Sequence, residues 1–70
     1  MPNYFCARIS QEYSEKLRLL ALNSGVSEKN IVFSTIGCPF CTLDIYIKFK
    51  EKTSLESFSN DANPYVLERW

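Results

Sequence analysis

The run "TLDIYIKFK", residues 42–50, decides the fold. Leu43, Ile45, Ile47 and Phe49 alternate without a break against Asp44, Tyr46, Lys48 and Lys50. Period two is the pattern of a strand buried on one face, because successive strand side chains point to opposite sides. Wound as a helix, Leu43 and Ile47 would share one face while Ile45 and Phe49 shared another. The β-branched side chains of Ile45 and Ile47 would also lose rotamer freedom there. The alternation therefore predicts a strand over 42–50, antiparallel to the run "NIVFSTI" at 30–36. That second run is apolar on both sides, as a central strand should be. Lys48, Lys50 and Lys52 alternate too, and read as the solvated face of the later strand.

Upstream, "NYFCARI" (3–9) is aromatic and β-branched and predicts another strand, with Phe5, Ala7 and Ile9 on its more apolar face. Ser10 sits where a helix N-cap belongs, its hydroxyl able to accept a bond from a free amide of the next turn. A helix is expected from Gln11 to Ser24, because Tyr13, Leu17, Leu20 and Ala21 fall on one face, widened by Leu19 and Leu22. Glu12 and Glu15 sit near the positive end of its dipole, and Gly25 supplies the stop. Downstream, Thr53 with Glu56 has the form of a capping box opening a short helix around Leu55 and Phe58. Asn63-Pro64 reads as one more helix start, with Val66 and Trp70 one turn apart.

The expected fold is α+β: a small β-α-β-β-α domain, residues 1–70, with a three-stranded sheet covered on one face by one main helix and a short C-terminal helix. A right-handed crossover sets the first two strands parallel, adjacent or one position apart. The last two strands are then a hairpin. The sheet's other face offers Tyr4, Cys6, Val32 and Tyr46, and a patch of that kind marks an interface. The terminal helix with Val66 and Trp70 competes for it, so Tyr4, Cys6, Val32, Tyr46 and Trp70 are the candidate binding residues.

Composition bounds the rest. The chain has 70 residues, 46% of them hydrophobic, with five Phe, four Tyr and one Trp, which excludes a disordered polypeptide. A domain this short buries only about 60% of its unfolded surface, and small domains usually add a metal, a disulfide or a partner. Eight basic and eight acidic residues leave no net charge, so nothing draws the chain toward nucleic acid or an anionic membrane. Histidine is absent, which removes the commonest general base and most zinc ligand sets. No signal-like N-terminus or membrane-length apolar run is present, so a cytoplasmic protein with reduced thiols is expected. Three cysteines cannot close a complete internal disulfide framework.

Two of those cysteines lie in "GCPFCT", residues 37–42. "IVFSTIGCPFCTL" resembles the active-site strand and loop of glutaredoxins, over about 13 residues. The resemblance implies a thiol–disulfide oxidoreductase in which Cys38 attacks and Cys41 resolves. Such chemistry needs a helix beginning at the motif, whose amide dipoles lower the thiol pKa. A zinc knuckle is a second chemistry: two chains pooling Cys38 and Cys41 could bridge a homodimer through zinc, or Cys6 could add a third ligand. In a third reading both thiols simply pack as small hydrophobes in a hairpin loop. The stretch "PNYFCARIS…SEKLRLLAL…SEKNIVFSTI" is also similar in pattern to the opening strand–helix–strand of two-histidine phosphoesterases. Their catalytic His-x-Thr would fall on Val32 and Ser34, so this likeness implies topology and not activity.

The function expected is a small non-catalytic protein-binding or inhibitor module acting through the exposed aromatic sheet face, with another protein or a second copy as partner. The glutaredoxin-like oxidoreductase and the zinc-bridged homodimer are the alternatives.

Overall fold

A computed structural model describes residues 3–35 and 42–69. Strand β1 (Asn3–Ser10) leads through a single 3-10 turn, Gln11–Tyr13, into helix α1 (Ser14–Asn23). A second 3-10 turn, Glu28–Asn30, precedes β2 (Ile31–Thr35), and β3 is Thr42–Phe49. Helix α2 (Lys52–Ala62) and a third 3-10 turn, Asn63–Tyr65, then deliver β4 (Val66–Arg69). The sheet order is β2-β3-β1-β4, and each neighbouring pair is antiparallel. Strands β1 and β2 are therefore parallel with β3 between them. This is the ferredoxin-like arrangement of two split β-α-β units.

Register explains why β3 had to be a strand. Ile45 lies opposite Ala7 on one side and Phe33 on the other, and Ile47 lies opposite Phe5 and Ile31. The alternation of β3 thus extends the apolar rows of both neighbours onto one face. Phe5, Ala7, Ile9, Ile45 and Ile47 are fully buried there. Both helices cover that face, α1 with Leu17 and Ala21, α2 with Phe58 and Ala62. Phe58 is the centre of the packing: its ring meets Phe5 edge-on at 4.9 Å and tilts against Phe49 at 5.3 Å. Such geometry adds roughly 0.5–1.5 kcal/mol per pair beyond area burial.

Helix α1 ends as Gly25 predicts. Gly25 has φ +87°, a left-handed conformation that glycine adopts without a Cβ penalty. Its amide donates to the Leu22 carbonyl at 3.0 Å, and the Val26 amide donates to the Ala21 carbonyl at 3.2 Å. These two bonds make a Schellman motif, and they turn Val26 into the core.

Several expectations are corrected. The sheet has four strands rather than three, and two helices rather than one cover it. The expected C-terminal helix is absent: Asn63-Pro64 starts only a 3-10 turn, and Val66–Arg69 pairs with β1. The reason is tertiary. The buried strand β1 would otherwise leave the amides and carbonyls of one edge without partners, and β4 supplies them. Val66 also lies opposite Ile9 and extends the core row. A register shift between Arg8 and Ile9 leaves β4 short and irregular, a form of edge that resists further pairing.

Smaller corrections have equally local causes. Helix α2 begins at Lys52 with Glu51 at its cap, so Thr53 sits inside the first turn and the capping box does not form. Strand β3 stops at Phe49 and Lys52 belongs to α2, which leaves Lys48 as the strand lysine on the open face. Ser10 occupies the N-cap position of the first 3-10 turn, but its side chain accepts no capping hydrogen bond. Leu20 is only partly buried, and Leu19 is half exposed.

Candidate interaction surface

Because both helices lie on one side, no helix among the described residues covers the other face of the sheet, here called the open face. It is built by the odd-man-out residues of each alternation. Antiparallel pairing of β1 and β3 sets Tyr4 opposite Lys48, Cys6 opposite Tyr46, and Arg8 opposite Asp44. Strand β2 adds Val32 opposite Tyr46 and Ser34 opposite Asp44, and β4 adds Glu68 opposite Arg8. Four rows therefore cross the strands: Ser10–Thr42, Ser34–Asp44–Arg8–Glu68, Val32–Tyr46–Cys6 and Lys48–Tyr4.

The row Val32–Tyr46–Cys6 and Tyr4 form the apolar part of the surface. Tyr4 is 50% exposed, Val32 51% and Tyr46 41%, while Cys6 is half-buried and a free thiol. Four of the five expected binding residues are thus brought onto one face. The fifth, Trp70, lies outside the described residues.

The charged row has a different character. Nε of Arg8 donates to Oδ1 of Asp44 at 2.9 Å, and Nη1 of Arg8 stands 3.7 Å from Oε1 of Glu68. Asp44 is only 3% exposed, so its charge is compensated locally rather than by water. The hydrogen bond from Arg8 to Asp44, and then their charge interaction, raise the Arg8 pKa above its ordinary value. This row went unnoticed in the sequence. The alternation does place Arg8 and Asp44 on the solvent sides of their strands. No turn joins β1 to β3, however, so nothing in the sequence fixes the register that sets them opposite one another.

Cys38 and Cys41 lie outside the described residues. The residue after Cys41 opens β3, so a strand follows the motif where thiol activation calls for a helix N-terminus. Cys6 stands in the Tyr46 row, four residues along β1 from the Ser10–Thr42 pair. That is roughly 13 Å of strand, so the ladder does not bring Cys6 beside the residue that follows Cys41. Among the described residues no group of three or more His, Cys, Asp or Glu could hold a metal ion. No helix among them is long and apolar enough to cross a membrane.

A cavity of about 300 Å³ at the junction of α1, β3 and α2 is lined by Ser24, Ser27, Ser54, Lys48, Lys50 and Glu51, among others. Ser24 is occupied, its Oγ donating to the Leu20 carbonyl at 3.0 Å. Without a histidine, no base in the chain matches the usual activated serine or cysteine.

Compared with known protein families, curated proteins and solved structures, the chain finds no match. The residues themselves must therefore carry the functional argument.

Proposed function

We propose that the protein is a small non-catalytic protein-binding module, of the kind that acts as an inhibitor or an assembly partner, and that it works through the open sheet face. The observation that carries this reading is the row Val32–Tyr46–Cys6 with Tyr4 beside it, facing outward from β1, β2 and β3. In a chain of 70 residues both helices are committed to the opposite face, which leaves these side chains in water. Removing apolar area from water is favourable by about 25 cal/mol per Å², from which association entropy and side-chain ordering subtract. Tyrosine brings a large, stiff contact surface with a polar tip, and is among the types most often energetic at interfaces. Cys38, Cys41 and zinc have no part in this reading. The strand that begins at Thr42 favours it over the oxidoreductase.

A photo-crosslinking phenylalanine analogue in place of Tyr46, irradiated in the producing cells, tests the proposal. The control carries the analogue in place of Leu19, which is equally exposed on the helix side. A covalent adduct to a polypeptide is expected from position 46 and not from position 19. Equal yields at both, or no adduct at all, would overturn it.

A further inference from the structure

We infer that β2 pairs edge to edge with β2 of a second copy of this chain, antiparallel about a two-fold axis at Phe33, so that the two sheets become one. The contact leaves the open face of each copy free and does not depend on what that face binds.

The two edges of the sheet are built differently. Strand β4 carries Glu68 and Arg69 and meets β1 through a register shift, devices that discourage a further strand. Strand β2 has neither. It is Ile-Val-Phe-Ser-Thr, with no charge, no proline and no break in its register with β3. Its β-branched and aromatic residues suit a strand paired on both sides. Among the described residues no strand lies on its outer side.

Backbone geometry says what that outer side can take. The Ile31 amide donates to the Glu28 carbonyl and closes the preceding 3-10 turn, so it points away from β3. In an antiparallel ladder both backbone groups of a residue face the same neighbour, and successive residues alternate. Val32 and Ser34 therefore exchange bonds with Tyr46 and Asp44, while Ile31, Phe33 and Thr35 turn their backbone groups outward. The Ile31 carbonyl, both groups of Phe33 and the Thr35 amide are then presented along the edge. Among the described residues no turn, loop or cap reaches them. Donors and acceptors at strand spacing are matched by the backbone of another extended chain.

The strand that fits is β2 itself. With the axis at Phe33, the two Phe33 residues exchange both of their backbone bonds. On either flank the Thr35 amide of one copy meets the Ile31 carbonyl of the other. The one donor already committed, the Ile31 amide, falls at the outermost position of this ladder, where its loss interrupts nothing. The side chains agree. On the covered face Phe33 ends the row Ala7–Ile45–Phe33 and is only partly buried. Pairing sets the partner's Phe33 beside it and carries the apolar row into the second copy, a favourable cross-strand pair. Since β2 has no charged residue, its self-pairing sets no like charges opposite one another.

Backbone N-methylation tests this without altering a side chain, in a chain of 70 residues that chemical synthesis can reach. At millimolar concentration the wild type should sediment at twice its 8.1 kDa mass. The chain with N-methylated Phe33, whose lost amide faces outward, should sediment as a monomer with the wild-type circular dichroism. Register is read separately, with Cys6, Cys38 and Cys41 changed to serine and either Val32→Cys or Ser34→Cys added. Val32 lies opposite the partner's Ser34 in a non-hydrogen-bonded pair, about 4.5 Å between Cα atoms and within disulfide range. A mixture of the two chains should oxidise to the heterodimer above its statistical share. A monomeric wild type, or an N-methylated chain that still dimerises, would overturn the inference. An N-methylated chain that fails to fold would place the Phe33 amide in the ladder with β3 and overturn it too. Heterodimer at or below the statistical share would contradict the axis at Phe33.

Discussion

Ile45 and Tyr46 share a peptide bond and stand on opposite faces of β3. Ile45 is fully buried beneath both helices, while Tyr46 is 41% exposed. The two faces they represent are made differently. The covered face is almost wholly apolar, filled by Phe58 against both Phe5 and Phe49 and closed by small residues, Ala7, Ala21 and Ala62. The open face mixes aromatic rings with a charge-paired row, and its members touch across strands rather than between layers. The first composition excludes water and holds the fold. The second tolerates water and is suited to being covered by something else. Separating the two jobs is possible because strand side chains alternate, so neighbouring residues answer to different constraints.

The strongest way to break this contrast is to empty the centre of the covered face. Phe58→Ala should cost about 3–5 kcal/mol. That is comparable to everything a core of this size usually supplies. Its circular dichroism should show no cooperative melt at 25 °C and above. A retained transition close to that of the wild type would mean the fold is not held from this face.

Within α1 the contrast sharpens. Leu17 is fully buried and Leu20 only packs against the cluster's margin. Leu17→Ala should cost about 2–5 kcal/mol by urea unfolding. Leu20→Ala should cost about 1 kcal/mol. Reversed magnitudes would place the wrong helix face inside.

At Gly25 the expected effect is smaller and purely conformational. A Cβ there would meet nothing within 4 Å, so strain from φ +87° is the whole penalty. Gly25→Ala should lower stability by about 1 kcal/mol. No measurable loss would show that the Schellman turn relaxes freely.

The smallest effect is expected at the cysteines. The double variant Cys38→Ser, Cys41→Ser should unfold within about 0.5 kcal/mol of the wild type, with its subunit number unchanged. A loss of association would revive the zinc bridge. Reduction of a small mixed disulfide by the wild type, well above the free-thiol rate, would revive the oxidoreductase.

Where local pattern was unambiguous, the sequence was enough. The unbroken alternation of residues 43–49 marked β3 and assigned each of its side chains to the right face. Gly25 marked the end of α1, because few other residues accept its backbone angle. Tyr4, Cys6, Val32 and Tyr46 followed from the same alternation once a helix was assigned to the opposite side. Strand β4 was illegible. "VLER" mixes helix and strand formers, lacks alternation, and becomes a strand only because β1 has an edge to fill. The Arg8–Asp44 pair was illegible too, since it depends on register between strands far apart in the chain.

The account rests on the open face serving association rather than stability. The most direct test is the urea midpoint of wild type and of Tyr46→Glu. Tyr46 faces water, so Tyr46→Glu should keep a cooperative transition within about 1 kcal/mol of the wild type. A variant with no transition would make the open face part of the core and contradict the account.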